Sequence, residues 1–197
     1  MRVANLTVGN QETDAGLEIT LAGARLRFLE DTVIAITGAD LCARLDNQPA
    51  PAWRPFVAPR DAVLSFDEVR DGVRAYVALA GGIDLPEVLG SRSTYTRSKL
   101  GGLEGRALKT GDILSTPWPE PLERTEGKQL PAEQIPTYGH SHILRVVMGP
   151  QDDAFTRKGI RTFLSTTYTV LAQSDRIGYR LQGDPIQHKS GADIVSD

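Results

Sequence analysis

Hydrophobic and polar positions alternate over short runs through the first half of the chain. Leu17, Ile19 and Leu21 alternate with Glu18 and Thr20, and Leu26 and Phe28 alternate with Arg25 and Arg27. Val33 to Ile36 form an apolar run that stops at Gly38. Leu41, Ala43 and Leu45 alternate up to a polar turn at Asp46-Asn47-Gln48-Pro49. Val63, Leu64 and Phe66 precede a second turn at Asp67–Gly72, and Val73 to Ala80 form a strong run closed by Gly81-Gly82. A side-chain period of two, repeated at this spacing and broken by turn residues, predicts a mainly β fold, a sandwich or barrel of short strands. No long amphipathic helix competes with it.

Between Ser115 and Gly139 the pattern lapses. This stretch holds five of the twelve prolines (Pro117, Pro119, Pro121, Pro131, Pro136) and almost no apolar periodicity. Proline removes a backbone donor and disfavours both helix and central strand, so the stretch is either a boundary or a long surface excursion. Beyond it the β pattern resumes, with strands expected at Ile143–Met148, Thr167–Leu171 and Ile177–Leu181 and a short helix over Asp153–Leu164. The expected organisation is a first β-rich subdomain over 1–114, a Pro-rich connection over 115–139 and a partial second β-rich subdomain over 140–197.

Composition narrows the class. The chain has 197 residues, a net charge of −3, and 40% hydrophobic and 24% charged residues, which is globular rather than disordered. A slightly acidic chain lacks the basic footprint of a general nucleic-acid binder. No apolar run approaches the roughly 18 residues of a membrane span. The single cysteine, Cys42, excludes an internal disulfide and any multi-cysteine metal site, and its alternating context predicts a buried small residue. With no signal-peptide core at the start, a cytoplasmic protein without nucleic-acid or membrane partners is expected.

The chemistry-bearing segment runs from Gly81 to Asp112, where seven of the nineteen glycines fall. From Ser91 to Lys109, five cations (Arg92, Arg97, Lys99, Arg106, Lys109) stand against one acid, Glu104. Gly-rich turns expose backbone N–H groups that can nest an anion, hydroxyls of Ser93 and Thr94 add donors, and Arg92 or Arg106 can clamp a carboxylate or phosphate. The bland alternative is a solvated basic loop whose glycines serve only turns. A second polar cluster, Asp175-Arg176, enters the run Ile177–Leu181; in a strand, Arg176, Gly178 and Arg180 would share one face. The alternative there is that Asp175 pairs with Arg176 or Arg180 to tie a loop. Gly101–Gly105 has neither dinucleotide nor Walker spacing. Asn5-Leu6-Thr7 is a glycosylation triplet with no secretory signal before it. His140 and His142 lack the further ligands a zinc site needs, so no metal is expected.

The blocks AYVALAGGIDLPEVLGSRSTYTRSKLGGLEGRALKTGDIL and MGPQDDAF…SDRIGYRLQG, with ANLTVGN and GLEITLAGARLRF before them, resemble the biotin-dependent carboxyltransferase family, which takes in allophanate hydrolase subunit 2 and the C subunit of 5-oxoprolinase. The resemblance runs over nearly the whole chain. It implies a cyclophilin-like β-barrel architecture with two β-rich subdomains. Relatives carry further segments upstream of ANLTVGN and beyond DIVSD, so the resemblance also implies a chain truncated at both ends, with an incomplete barrel and open sheet edges near Gly16–Leu21 or Ile177–Leu181.

What the resemblance implies about function is membership of an ATP-dependent 5-oxoprolinase-type complex, which hydrolyses the cyclic amide of pyroglutamate to glutamate. The expected partner is a sister carboxyltransferase-family subunit, of the allophanate hydrolase subunit 1 or 5-oxoprolinase B type. The expected cofactor is ATP at the level of the complex. The alternatives are the carboxyltransferase module of a biotin-dependent urea carboxylase, receiving carboxybiotin from a partner, a regulatory protein antagonising a kinase inhibitor, or an inactive fragment. No ATP-grasp segment or biotinyl-lysine motif is present, which favours the first. The candidate substrate- or anion-binding residues are Arg92, Ser93, Thr94, Arg106, Asp175 and Arg176, and no residue has the nucleophile–base signature of a self-sufficient hydrolase.

Overall fold

The computed structural model describes residues 1–21, 23–117, 129–139 and 141–191. Its chain contacts divide into two units, Met1–Ser141 and His142–Asp197.

The first unit is built from strands, and they follow the alternating runs. In chain order they are β1 (Leu17–Thr20), β2 (Arg25–Arg27), β3 (Thr32–Asp40), β4 (Ala43–Leu45), β5 (Gln48–Pro49), β6 (Pro55–Ala58), β7 (Val63–Phe66) and β8 (Asp71–Leu79). They form two four-stranded antiparallel sheets, ordered β1-β8-β3-β6 and β2-β7-β4-β5. The turn between β4 and β5 places both Asp46 (φ 48°) and Asn47 (φ 67°) in the left-handed region, the pairing a tight hairpin with right-handed strand twist requires.

Inward-facing side chains of both sheets meet in one core, with Ile19, Ile34, Ile36, Leu64, Phe66 and Val77 among its buried members. The apolar positions of the alternating strands are therefore those facing the opposite sheet, and burying them is the main stabilising term of this unit. The central strands β3 and β8 are the longest, nine residues each, and pair from Ile34–Leu79 to Asp40–Asp71 across a bulge at Gly38. β1 forms one edge of its sheet and β6 the other.

Three features depart from the sequence expectation. Arg2–Thr7 is a helix, α1, which lays Ala4 and Val8 in a smaller core with Val33, Ala35, Ala78 and Ala80 on the other face of the β3–β8 pair. β6 begins at Pro55, and it forms an edge, the place in a sheet where a missing N–H costs nothing. Cys42 is half-buried rather than buried: it occupies a left-handed turn (φ 51°), and its N–H donates to the Asp40 carboxylate at 3.0 Å.

Of the Pro-rich stretch, residues 118–128 and His140 lie outside the described residues. Residues 129–139 are tied to the first unit: the Leu130 N–H donates to the Trp53 carbonyl, and the Tyr138 and Gly139 N–H groups donate to the Asp71 carboxylate.

In the second unit, helix α2 (Arg157–Ser165) occupies much of the expected helical stretch, and it starts late because the Thr156 hydroxyl caps it by accepting from the Gly159 N–H at 3.0 Å. The strand expectations shrink here. β9 (Thr169–Val170) and β10 (Leu181–Gln182) pair as a two-stranded ribbon, while Ile143–Met148 forms no strand and only the last residue of Ile177–Leu181 joins one. Both lapses have a common physical setting: the apolar side chains of these runs are exposed, so no buried face holds a register.

Candidate functional site

Where β8 ends, the chain turns through Gly81 and Gly82 and meets the segment following α1. The joint is held by two asparagines. Asn5 is fully buried; its side-chain amide donates to the carbonyls of Asp14 (2.7 Å) and Glu12 (3.3 Å). Its side-chain oxygen accepts from the Asn10 amide at 3.1 Å. Asn10 in turn donates to the Leu79 carbonyl at 2.8 Å and accepts from the Gly81 N–H at 2.9 Å. The pair therefore locks residues 10–14 onto the end of β8.

That joint floors a concavity of about 270 Å³, lined by Asp14, Ala15, the run from Gly81 to Leu85, Arg92 and Pro117. Its charged lining residues are Asp14, Asp84 and Arg92. Asp14 is oriented by the Gln11 N–H, 2.8 Å from its carboxylate. Arg92 is oriented by the Leu85 carbonyl, which accepts from its Nε at 3.2 Å, with the Glu87 carboxylate 3.9 Å from Nη1. The backbone donors of the glycine turn are already engaged: Gly81 with Asn10, Gly82 with Leu79, Ile83 with Ala15 and Asp84 with Ser115. The turn is therefore not an anion nest, and the concavity is lined by one cationic residue, Arg92, and two acidic ones, Asp14 and Asp84.

The other candidates of the basic segment lie outside this wall. Ser93 is exposed, its N–H donating to the Ser91 hydroxyl at 3.1 Å. Thr94 packs against Gly102, where an added Cβ would collide with its hydroxyl oxygen. Tyr95 and Leu100 pair across the loop, and the Gly105 N–H donates to the Gly101 carbonyl. A Cβ on Gly105 (φ 63°) would overlap the Lys99 backbone, so the two arms of the loop touch only because this residue is glycine.

Arg106 is a strut of the same loop. It grips Asp112 through both Nη atoms (2.7 and 2.9 Å), and its Nε donates to Glu104 at 2.9 Å. Arg106 and the Lys109 N–H hold the Asp112 carboxyl down at about 2, and the hydrogen bonds to Asp112 and Glu104 raise the guanidinium above its ordinary value. An arginine so engaged closes the 104–112 turn and has lost the fork an incoming anion would need. Of the four candidates in the basic segment, Arg92, Ser93, Thr94 and Arg106, only Arg92 lines the concavity.

Asp175 and Arg176 belong to the second unit. The Asp175 carboxylate accepts from the N–H groups of Ile177 (2.8 Å) and Gly178 (3.2 Å), and its own N–H donates to the Gly178 carbonyl. This side-chain turn folds the segment back on itself, which is why Arg176, Gly178 and Arg180 do not share a strand face. Among the described residues, no three His, Cys, Asp or Glu side chains converge as metal ligands, and no helix is long and apolar enough to cross a membrane.

The asparagine lock has a weak trace in the sequence. Asn5 stands in an apparent glycosylation triplet, but its complete burial makes it a structural amide. Only the spacing of Asn5 and Asn10 around Gly9 hinted at a turn.

A mainly β chain with this glycine–arginine block defines a class, and comparison supplies it. The sequence profile of the carboxyltransferase domain, subdomains A and B, matches residues 1–197, and the chain belongs to that family. Urea amidolyase of Saccharomyces cerevisiae is 38% identical over 188 residues, taking in 92% of this chain and 10% of the relative. The C subunit of Escherichia coli 5-oxoprolinase is 35% identical over 198 residues, taking in 100% of this chain and 61% of the relative. The crystal structure of Kluyveromyces lactis urea carboxylase superimposes with a TM-score of 0.83 at 35% identity, over 96% of this chain and 18% of that one. The chain thus spans about three fifths of one curated relative and a tenth of the other.

Proposed function

We propose that the chain serves as the C-type component of an ATP-dependent 5-oxoprolinase complex, in which the cyclic amide of pyroglutamate is opened to glutamate. The observation that carries this reading is the extent of likeness: the alignment to the E. coli 5-oxoprolinase component takes in all of this chain, against 92% for yeast urea amidolyase. The concavity is chemically compatible with it. A lactam presents a carbonyl acceptor beside an N–H donor, and the wall offers Arg92 as donor and Asp14 as acceptor. A guanidinium held in place beside a carbonyl that becomes an oxyanion stabilises the developing charge.

The same wall does not fit a triphosphate. Its single cationic residue is opposed by two acidic ones, Asp14 and Asp84, and its glycine N–H groups are spent on the fold. ATP therefore belongs to the complex in this reading, with a sister subunit of the 5-oxoprolinase B type as partner, and cytoplasmic placement goes with it.

A second reading is the carboxyltransferase module of a urea carboxylase, with carboxybiotin delivered by a partner. It is favoured by the 38% identity to urea amidolyase and the TM-score of 0.83 to urea carboxylase. Urea also presents a carbonyl beside N–H donors. The two separate in one assay: copurify the chain with its sister subunit and measure ATP hydrolysis with pyroglutamate and with urea. Stimulation by pyroglutamate alone supports the first reading, and stimulation by urea with a biotin carrier supports the second.

A further inference from the structure

The two sheets of the first unit differ in what they turn outward. β3 and β8 contribute side chains to a core on each face of their sheet, whereas the β2-β7-β4-β5 sheet faces the shared core on one side only. Leu26, Leu64 and Leu45 lie in one cross-strand row of that sheet and pack in the core, so the residues next to them along each strand point the other way. The adjacent outward row is Arg25, Ser65 and Arg44, and Arg27 follows Arg25 by two residues on the same face.

Elsewhere in this unit the fold neutralises its arginines at close range: Arg2 with Glu12, Arg70 with Asp40, Arg74 with Glu18 and Arg106 with Asp112. Arg44 follows the same rule. Its Nε stands 3.9 Å from the Asp67 carboxylate, which also accepts from the Ser65 hydroxyl at 3.3 Å, and its Nη1 donates to the Asn47 carbonyl at 2.7 Å. Asp46, at the border of this face, spends its carboxylate on the Val63 N–H at 2.8 Å. Arg25 and Arg27 are the exception: both are exposed, and neither has a carboxylate in ion-pair contact among the described residues. Strand geometry sets them about 7 Å apart, with Arg44 about 10 Å across the sheet. Like charges on neighbouring sheet positions repel, so the fold gains nothing from this array, which stands in a chain of net charge −3.

We propose that this face docks the partner subunit of the complex, through carboxylates of the partner that pair with the guanidinium forks of Arg25 and Arg27. Arginine presents a planar fork matched to a carboxylate, and cations spread over a sheet face suit acidic groups spaced along a protein surface better than one small anion. A complementary charge pair of this kind acts chiefly on the rate of encounter and on partner choice. The acidic balance of the chain opposes a nucleic acid as the occupant. The inference rests on the reading of the chain as one component of a multi-subunit complex.

The test titrates the full chain with the separately purified sister subunit at about 0.05 M and about 0.5 M NaCl, where the screening length differs roughly threefold. The wild-type Kd rises by about tenfold or more from the lower salt to the higher. The double variant Arg25→Glu, Arg27→Glu weakens binding by about tenfold or more at low salt and loses the salt dependence, while Arg25→Lys, Arg27→Lys keeps it. Arg54→Glu, a lone exposed arginine just before β6 of the other sheet, leaves Kd within about twofold. Unchanged amide protection of β3 and β8 shows that each variant is folded. The docking face is overturned if the double reversal leaves Kd and its salt dependence as in the wild type, if Arg54→Glu weakens binding as much, or if a DNA oligonucleotide binds and the subunit does not compete with it. A wild-type chain that does not bind the sister subunit at either salt overturns the reading of the chain as a component, and the docking face with it.

Discussion

Replacing Asn5 by alanine removes the side chain that fastens residues 10–14 to the end of β8. Three hydrogen bonds go with it: two donated to the Asp14 and Glu12 carbonyls and one accepted from Asn10. At a net of about 1 kcal/mol each, the loss is about 3 kcal/mol, and a carbonyl left buried without a donor adds to it. Against the roughly 5–15 kcal/mol that holds a domain together, this is a large fraction. Urea unfolding followed by far-UV circular dichroism reads it as a lower midpoint at unchanged slope. Asn5→Asp keeps the shape but turns a carboxylate toward two carbonyl oxygens. It is expected to be at least as destabilising at neutral pH and to recover as pH falls toward about 4, because the buried carboxyl, its pKa raised by burial beside carbonyl oxygens, takes up its proton before the unfolded chain's does. A loss under about 0.5 kcal/mol for Asn5→Ala would refute the view that this amide organises the concavity.

Other consequences follow from the glycine–arginine loop. Asp112 should titrate near 2 by carbon-detected NMR and move back toward the ordinary carboxylate range in Arg106→Ala. Because its folded value lies below its unfolded one, the pair's contribution is fully present above about pH 4 and fades as pH falls toward 2, so Arg106→Ala should flatten that part of the stability profile. Gly105→Ala puts a Cβ into Lys99 backbone atoms at a left-handed residue. It should raise the exchange rate of the Tyr95 and Leu100 amides, at a cost of about 2 kcal/mol or more, and an unchanged rate would contradict the close approach.

The first unit was legible because its outer strands bury one face, leaving an alternating pattern, while β3 and β8 bury both faces and read as apolar runs. Leu17–Leu21, Val33–Ile36, Val63–Phe66 and Val73–Ala80 each put alternate residues into one core, and at Val33–Ile36 the residues between them, Val33 and Ala35, fill the smaller core on the other face. Helix α1 was not legible: six residues are too few for a period to emerge, and its buried Asn5 and Thr7 do not look like core positions. The runs Ile143–Met148 and Ile177–Leu181 failed for the opposite reason: their pattern is that of strands, but a strand also needs a neighbour, and the sequence of a run does not say whether one is there. At the candidate site, charge density singled out the 91–109 loop, of whose candidates only Arg92 lines the concavity. Whether an arginine receives a ligand or braces a turn depends on Asp112, six residues on, and only coordinates decide that.

The central claim is that Arg92 serves a pyroglutamate-opening complex. Its most direct test is ATP hydrolysis by the chain copurified with its sister subunit, wild type against Arg92→Ala, with pyroglutamate or urea as the variable substrate. The account predicts hydrolysis stimulated by pyroglutamate and not by urea, falling by well over about tenfold in Arg92→Ala with the complex still assembled. Stimulation by urea alone, or a wild-type rate in the variant, would contradict it.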